Sequence, residues 1–140
     1  MPIAQITSDK VSEPPPGLWS NCLRVGDLVF ISGLTARGID LNPTGGAEYD
    51  QAKQIFGRMR HLVEAAGGTM ADIVKLTIFV TRIAEREGVW AARKEAFEGA
   101  FPACSLVEVS ALAQPEILVE IEGVACLGQG GRPGQAGKPQ

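Results

Sequence analysis

The stretch QAKQIFGRMRHLVEAAGGTMADIVKLTIFV, residues 51–80, changes period once, and that change decides the fold class. In its first half Ala52, Ile55, Phe56, Met59, Leu62, Val63 and Ala66 recur three and four apart, the single apolar stripe of a helix lying on a core. The predicted helix runs from Ala47 to Ala66. Gly67-Gly68 then ends it, since glycine takes the left-handed conformation that closes a helix without steric penalty. Asp72 to Val80 is β-branched and aromatic-rich, as a strand is.

The same alternation extends in both directions. Asn21–Leu23 and Leu28–Ser32 read as strands around the turn Val25-Gly26-Asp27. Gly33 to Gly46 is a loop holding Gly38, Pro43, Gly45 and Gly46. A second helix is expected over Glu85–Phe97, with Val89, Trp90, Ala96 and Phe97 toward the core. Cys104–Val109 and Leu118–Cys126 are the last strands, and Ile3–Ile6 is a further short one. The order β-β-α-β-α-β-β gives an α+β fold in two layers, one mixed sheet with two helices on one face. Alternate residues of LVFIS and KLTIFV leave apolar side chains on the other face. The sequence contains no third layer to cover it, which implies a second copy of the chain as the cover.

Length and charge agree with one soluble domain. The chain has 140 residues, 45% hydrophobic and 21% charged, with 13 basic against 16 acidic side chains and a net charge of −3. That balance speaks against the broad basic field of a non-specific nucleic-acid binder. No apolar run approaches the ~18 residues of a membrane span. The start lacks a signal peptide's order, so a cytoplasmic location is expected. Pro14-Pro15-Pro16-Gly17 reads as an extended lead-in along the body. Residues 1–127 form the expected single domain, and Gly128–Gln140, rich in Gly, Pro and Gln, the expected flexible tail.

Cys22, Cys104 and Cys126 lie far apart, without the spacing of a disulfide framework or zinc ribbon. The single histidine, His61, falls on the long helix as a partly exposed residue. No histidine-based triad or H-E-x-x-H metal site can be built, and no metal or cofactor is expected. Chemistry would fall to carboxylates, hydroxyls, backbone groups, thiols or water. Glu120 and Glu122, two apart on one strand, share a face roughly 6–7 Å apart. Such a pair can split its pKa values into an acid and a base, or can simply be a solvated strand face.

RVGDLVFISG (24–33), EAAGGTMADIVKLTIFV (64–80), FPACSLVEVSAL (101–112) and VEIEGVA (119–125), in this order and at these separations, resemble the reactive-intermediate deaminase family. This is the Rid or YjgF type, also labelled endoribonuclease L-PSP. The resemblance covers about Gly17 to Leu127. It implies a chorismate-mutase-like fold and a homotrimer whose sheet faces close a central barrel, with small-molecule clefts at the subunit interfaces. It also implies cofactor-free hydrolysis of reactive enamines and imines to ketones and ammonia.

Carried over position by position, the resemblance assigns Glu120 to the attacking water and retains Ser32 and Gly33 at the cleft. Trp19 takes the place of a cleft tyrosine, Ala91 falls at or next to a family asparagine, and Leu106 stands at a thiol position. Cys104, in Pro102-Ala103-Cys104-Ser105, replaces the arginine that clamps the carboxylate of amino-acid-derived imines. A thiol cannot form that charged fork. The expected substrate is therefore a different enamine or imine, such as an aminomuconate-like intermediate of aromatic catabolism.

Arg37, in the loop after LVFIS, could restore the lost charge or be a surface arginine. Ser32 could satisfy a turn, and Trp19 could pack rather than stack on a substrate. Cys104 as a nucleophile lacks a neighbouring base in sequence. A metabolite-binding trimer without turnover is the alternative function. Ribonuclease activity is disfavoured by the absence of a cationic cluster to stabilise a phosphate.

Overall fold

The computed structural model describes residues 2–38, 42–99 and 101–130. Six strands form one sheet: β1 Ile3–Gln5, β2 Cys22–Val25, β3 Leu28–Leu34, β4 Ile73–Val80, β5 Ala103–Glu108 and β6 Val119–Cys126. The helices are α1 Glu48–Ala65 and α2 Arg86–Ala96. The strand order is β1-β2-β3-β6-β4-β5. β4 and β5 are parallel and every other pair is antiparallel. The crossovers β3-α1-β4 and β4-α2-β5 thus lay the helices over the sheet, and β6, last in sequence, fills the slot between β3 and β4.

Expected boundaries hold to within a few residues. β2 runs on to Val25, so the turn narrows to Gly26-Asp27, with Gly26 at φ 60°, a conformation suited to a two-residue hairpin. β3 continues through Gly33 and Leu34, which the sequence reading placed in the following loop. That reading used Gly33 as a strand breaker; the strand instead absorbs it in a bulge. Of the expected Gly128–Gln140 tail, residues 131–140 lie outside the described residues.

The core lies between the helices and one sheet face. Ile55, Met59, Leu62 and Val63 of α1 are fully buried against Leu76, Ile78, Val119 and Ile121. Burying each such side chain contributes about 1.5–3 kcal/mol. Phe56 of α1 meets Phe97, just past α2, edge to face at 5.6 Å between centroids. Trp90 is a correction: it is 42% exposed, lies under the Arg86 guanidinium at 5.3 Å, and leaves the core to Val89 and Ala92. On α2 the apolar residues extend beyond the core-facing stripe, and the large indole finds a cation at the surface instead.

The opposite sheet face has no covering layer among the described residues. Leu28, Phe30 and Val107 are each more than two-fifths exposed there, interspersed with Lys75, Thr77 and Glu122. No helix among the described residues is long and apolar enough to cross a membrane.

Candidate functional site

The site is organised by a β-bulge. Along β3–β6, Ile31 pairs with Gly123 and Leu34 with Ile121, so Ser32 and Gly33 together oppose the single residue Glu122. An extra residue at this point kinks β3 and re-aims its backbone, a device common at functional sites. The kink brings Gly33 against the side chain of Glu120. A Cβ built on Gly33 would fall 2.8 Å from Glu120 Cδ and 3.1 Å from its Cγ, so only glycine leaves room for this carboxylate.

Glu120 is held in place from below. Gln51, buried on α1, accepts the Leu118 amide at 2.9 Å through Oε1 and donates through Nε2 to the Glu116 carbonyl at 2.8 Å and the Gly46 carbonyl at 3.0 Å. The helix thereby fixes the entry to β6 two residues before Glu120. Burial pushes the Glu120 carboxyl above its ordinary range, and the like charge of Glu122 adds to this, while Arg37 pulls partly back. The two glutamates thus share a face, as their spacing requires, and they interact.

Beside Gly33 lies a cavity of about 250 Å³, walled by the proline-rich lead-in (Pro14, Pro15, Leu18), Trp19, Gly33 and two arginines, Arg37 and Arg58. The lead-in is tied down over it: Val11 is buried in the core and Asn21 Nδ2 donates to the Ser12 carbonyl at 2.9 Å. Trp19 is 54% exposed and its Nε1 donates to Asn21 Oδ1 at 3.3 Å. Arg37 Nε donates to Thr35 Oγ1 at 2.9 Å, and Arg58 Nη1 to the Thr35 carbonyl at 2.5 Å. Both guanidiniums therefore converge on one residue. Burial depresses the Arg58 pKa, and the neighbouring Arg37 charge depresses it further.

Ser32 donates through Oγ to the Ser20 carbonyl at 2.5 Å and lines a second cavity, of about 260 Å³, on the uncovered sheet face with Lys75, Thr77 and Glu122. Its hydroxyl proton is thus committed to the Ser20 carbonyl. The remaining sequence candidates lie elsewhere. Cys104 and Leu106 pair with Leu76 and Ile78, whose side chains are buried under the helices, whereas Glu120 pairs with Phe79 on the other side. Ala91 is exposed on α2. Within one chain, Trp19, Gly33, Arg37 and Glu120 are together, and Ala91, Cys104 and Leu106 are apart from them.

Two residues escaped the sequence reading. Arg58 borders the apolar stripe of α1, three residues from Ile55 and one from Met59, and that border position was the signal available. Arg93 stands 3.2 Å through Nη1 from Cys104 Sγ, so the thiol does have a cationic neighbour, supplied by α2 rather than by the flanking sequence. Among the described residues no group of three or more His, Cys, Asp or Glu side chains could hold a metal ion.

Comparison with known proteins places the chain in a family. A family profile described as Endoribonuclease L-PSP matches residues 11–127. A 2-iminobutanoate/2-iminopropanoate deaminase of Dermatophagoides farinae is 33% identical over 124 residues, spanning 88% of this chain and 96% of that one. The protein of the same name from Escherichia coli K12 is 36% identical over 108 residues, 72% and 80% of the two chains. Among solved structures, a Pseudomonas aeruginosa protein of unknown function superposes with a TM-score of 0.82 at 37% identity, over 91% of this chain and 94% of that one. RidA from an Antarctic Psychrobacter gives a TM-score of 0.81 at 28% identity, over 89% and 99%. With its bulged strand, its open sheet face and these relatives, the chain belongs to the endoribonuclease L-PSP family of Rid-type proteins.

Proposed function

We propose that this protein is a cofactor-independent deaminase that hydrolyses a carboxylate-bearing enamine or imine, with Glu120 as the group that positions and activates water. Its relatives bear the names of imine deaminases, which supports the reaction type. The observation that carries the assignment is the Glu120 carboxylate lodged against Gly33 beside a cavity lined by Arg37. In the reaction Glu120 accepts a proton from water as its oxygen bonds to the C=N carbon. The nitrogen takes up that proton to give a neutral carbinolamine; Glu120 then takes the carbinol O–H proton and returns it to the nitrogen as the C–N bond breaks, so that ketone and ammonia leave and Glu120 is again a carboxylate. An enamine first gains a proton at carbon and loses one from nitrogen to become the imine. The raised pKa of Glu120 suits a group that takes a proton and returns it within one cycle.

The substrate is not of the 2-iminopropanoate kind in this reading, because Cys104 replaces the clamp arginine. A conjugated compound such as an aminomuconate fits better, with Arg37 as its anion contact and Trp19 against its plane. The two groups of cleft residues would be completed by one another across an interface. A homotrimer closing over the exposed Leu28, Phe30 and Val107 supplies that interface and supports the interfacial placement of the site.

The test is ammonia release from freshly generated enamines and imines by the parent protein and by Glu120→Gln. The variant keeps size and hydrogen bonding but not the base, so kcat should fall about 100-fold or more with KM little changed. Unchanged turnover would transfer the case to a trimer that binds the metabolite without converting it.

A further inference from the structure

Between Glu108 and Val119 the chain has no helix or strand, and yet it delivers Glu120 to Gly33 in one register. Ile117 is buried, and the Thr81 amide donates to the Leu118 carbonyl at 3.1 Å. The other restraint comes from a helix. Gln51, 2% exposed, accepts from the Leu118 amide and donates to the Glu116 carbonyl. A residue of a parallel strand grips its neighbour in this pattern, taking the amide after the opposing residue and giving to the carbonyl before it. The Gln51 carboxamide thus acts as a strand partner one residue long, centred on Ile117. Its second N–H goes to the Gly46 carbonyl. Gly46 closes the loop after β3, whose two ends are joined by the Thr44 amide, donating to the Ala36 carbonyl at 3.0 Å, and by the bridge between Arg37 and Pro43. Gly45 and Gly46 have φ of 78° and 87°, a turn that glycine makes without strain. One buried amide therefore joins the loop that carries Arg37 to the strand that carries Glu120. Glutamate in its place would offer neither carbonyl a proton when ionised, and methionine no strong polar atom at all.

We propose that Gln51 is a positioning residue for Glu120 and Arg37: it sets how deep the carboxylate sits against Gly33 and where the Arg37 loop stands beside it. Its catalytic meaning rests on the deaminase reading; the placement of the carboxylate does not. Across the sheet Glu120 meets Gly33 on β3 and Phe79 on β4, which do not titrate. The charges that act on it are Glu122, two residues along β6, and Arg37, and burial acts more strongly than either. A carboxylate released from the niche toward water loses the largest of these influences, and its pKa falls toward the ordinary value.

The test follows the Glu120 carboxyl carbon by NMR through a pH titration of the parent, Gln51→Met and Val89→Ala. The last variant removes buried apolar volume from α2 without touching these hydrogen bonds, and so controls for lost stability. In Gln51→Met the Glu120 titration should move to lower pH, and kcat for ammonia release from 2-aminomuconate should fall at least about tenfold, with KM rising as Arg37 shifts. Val89→Ala should melt earlier yet keep the parent's titration and kcat. Gln51→Asn, which keeps the amide but is one methylene too short, is read in the same way if the methionine variant does not fold. A Glu120 titration that stays put in the Gln51 variants, or that moves as far in Val89→Ala, would overturn the positioning role. A titration that moves in Gln51→Met while Glu120→Gln turns over like the parent would sink the deaminase reading and leave the positioning role standing.

Discussion

The Arg93 guanidinium lies 3.2 Å from the Cys104 sulfur, on the side of the sheet away from Glu120. The position to which the family resemblance assigns a clamp arginine is thus already next to a positive charge. Cys104→Arg alone would set two guanidiniums side by side. The single variant should gain little activity on 2-iminopropanoate, and Cys104→Arg with Arg93→Ala should exceed it about tenfold, a difference of roughly 1.4 kcal/mol. Steady-state assays of both variants decide this, and equal rates would show that Arg93 does not crowd the position.

Gly33→Ala tests the bulge directly. The added methyl meets the Glu120 carboxylate, which has to swing away. The measured consequence should be a kcat at least about tenfold lower, while the melting temperature moves by only a few degrees because the clash falls on a side-chain end rather than on backbone.

The acid limb of the pH–rate profile should move in opposite directions in two variants. In the proposed reaction Glu120 works as a carboxylate, and burial and Glu122 hold its pKa up while Arg37 holds it down. Activity therefore rises as pH climbs through this raised value. Glu122→Gln removes a like charge and should shift the limb to lower pH. Arg37→Ala removes an attractive charge and should shift it to higher pH. Profiles of kcat/KM report the free enzyme and are the measurement to make.

Acid stability should depend on Glu48. Its carboxylate is buried and accepts from Arg82 Nε at 2.8 Å and Nη2 at 2.7 Å. Burial alone would raise its pKa, but the Arg82 hydrogen bonds, its own backbone and the Arg82 charge outweigh this and hold it below its ordinary 4.5. A lowered folded-state pKa gives stability that is present above about pH 4.5 and lost as pH falls through the lower value. Glu48→Gln should lower the melting temperature by about 5 °C at neutral pH, and the gap to the parent should narrow on acidification. Thermal melts from pH 3 to 7 would reveal a constant gap if the pair were irrelevant.

What the sequence made legible follows from the range of each signal. The α1 stripe is periodic, and its residues Ile55, Met59, Leu62 and Val63 are all buried. Glu120 and Glu122 share a face because a strand's period of two leaves no other choice. Trp90 was misjudged because aromatic size reads as core in a sequence, whereas its environment depends on Arg86 one turn away. The Arg93–Cys104 contact joins a helix to an edge strand, and the Arg37–Arg58 convergence joins a loop to a helix. No local spacing encodes either. The split between Cys104 and Glu120 depends on the order in which the strands are inserted, which alternation does not reveal.

The bulge in β3 has a consequence for heredity. Val29, Ile31 and Leu34 all point into the core, and the interval from 31 to 34 is three where a regular strand needs two. Loss of one codon, that for Gly33, would bring the present Leu34 into strict alternation with its neighbours and leave the inward row intact. The sheet would then be more regular than it is now, and Glu120 would lose the niche its carboxylate occupies. Scaffold and proposed site are thus separable by a single triplet, and a lineage could discard the proposed chemistry without passing through an unfolded ancestor.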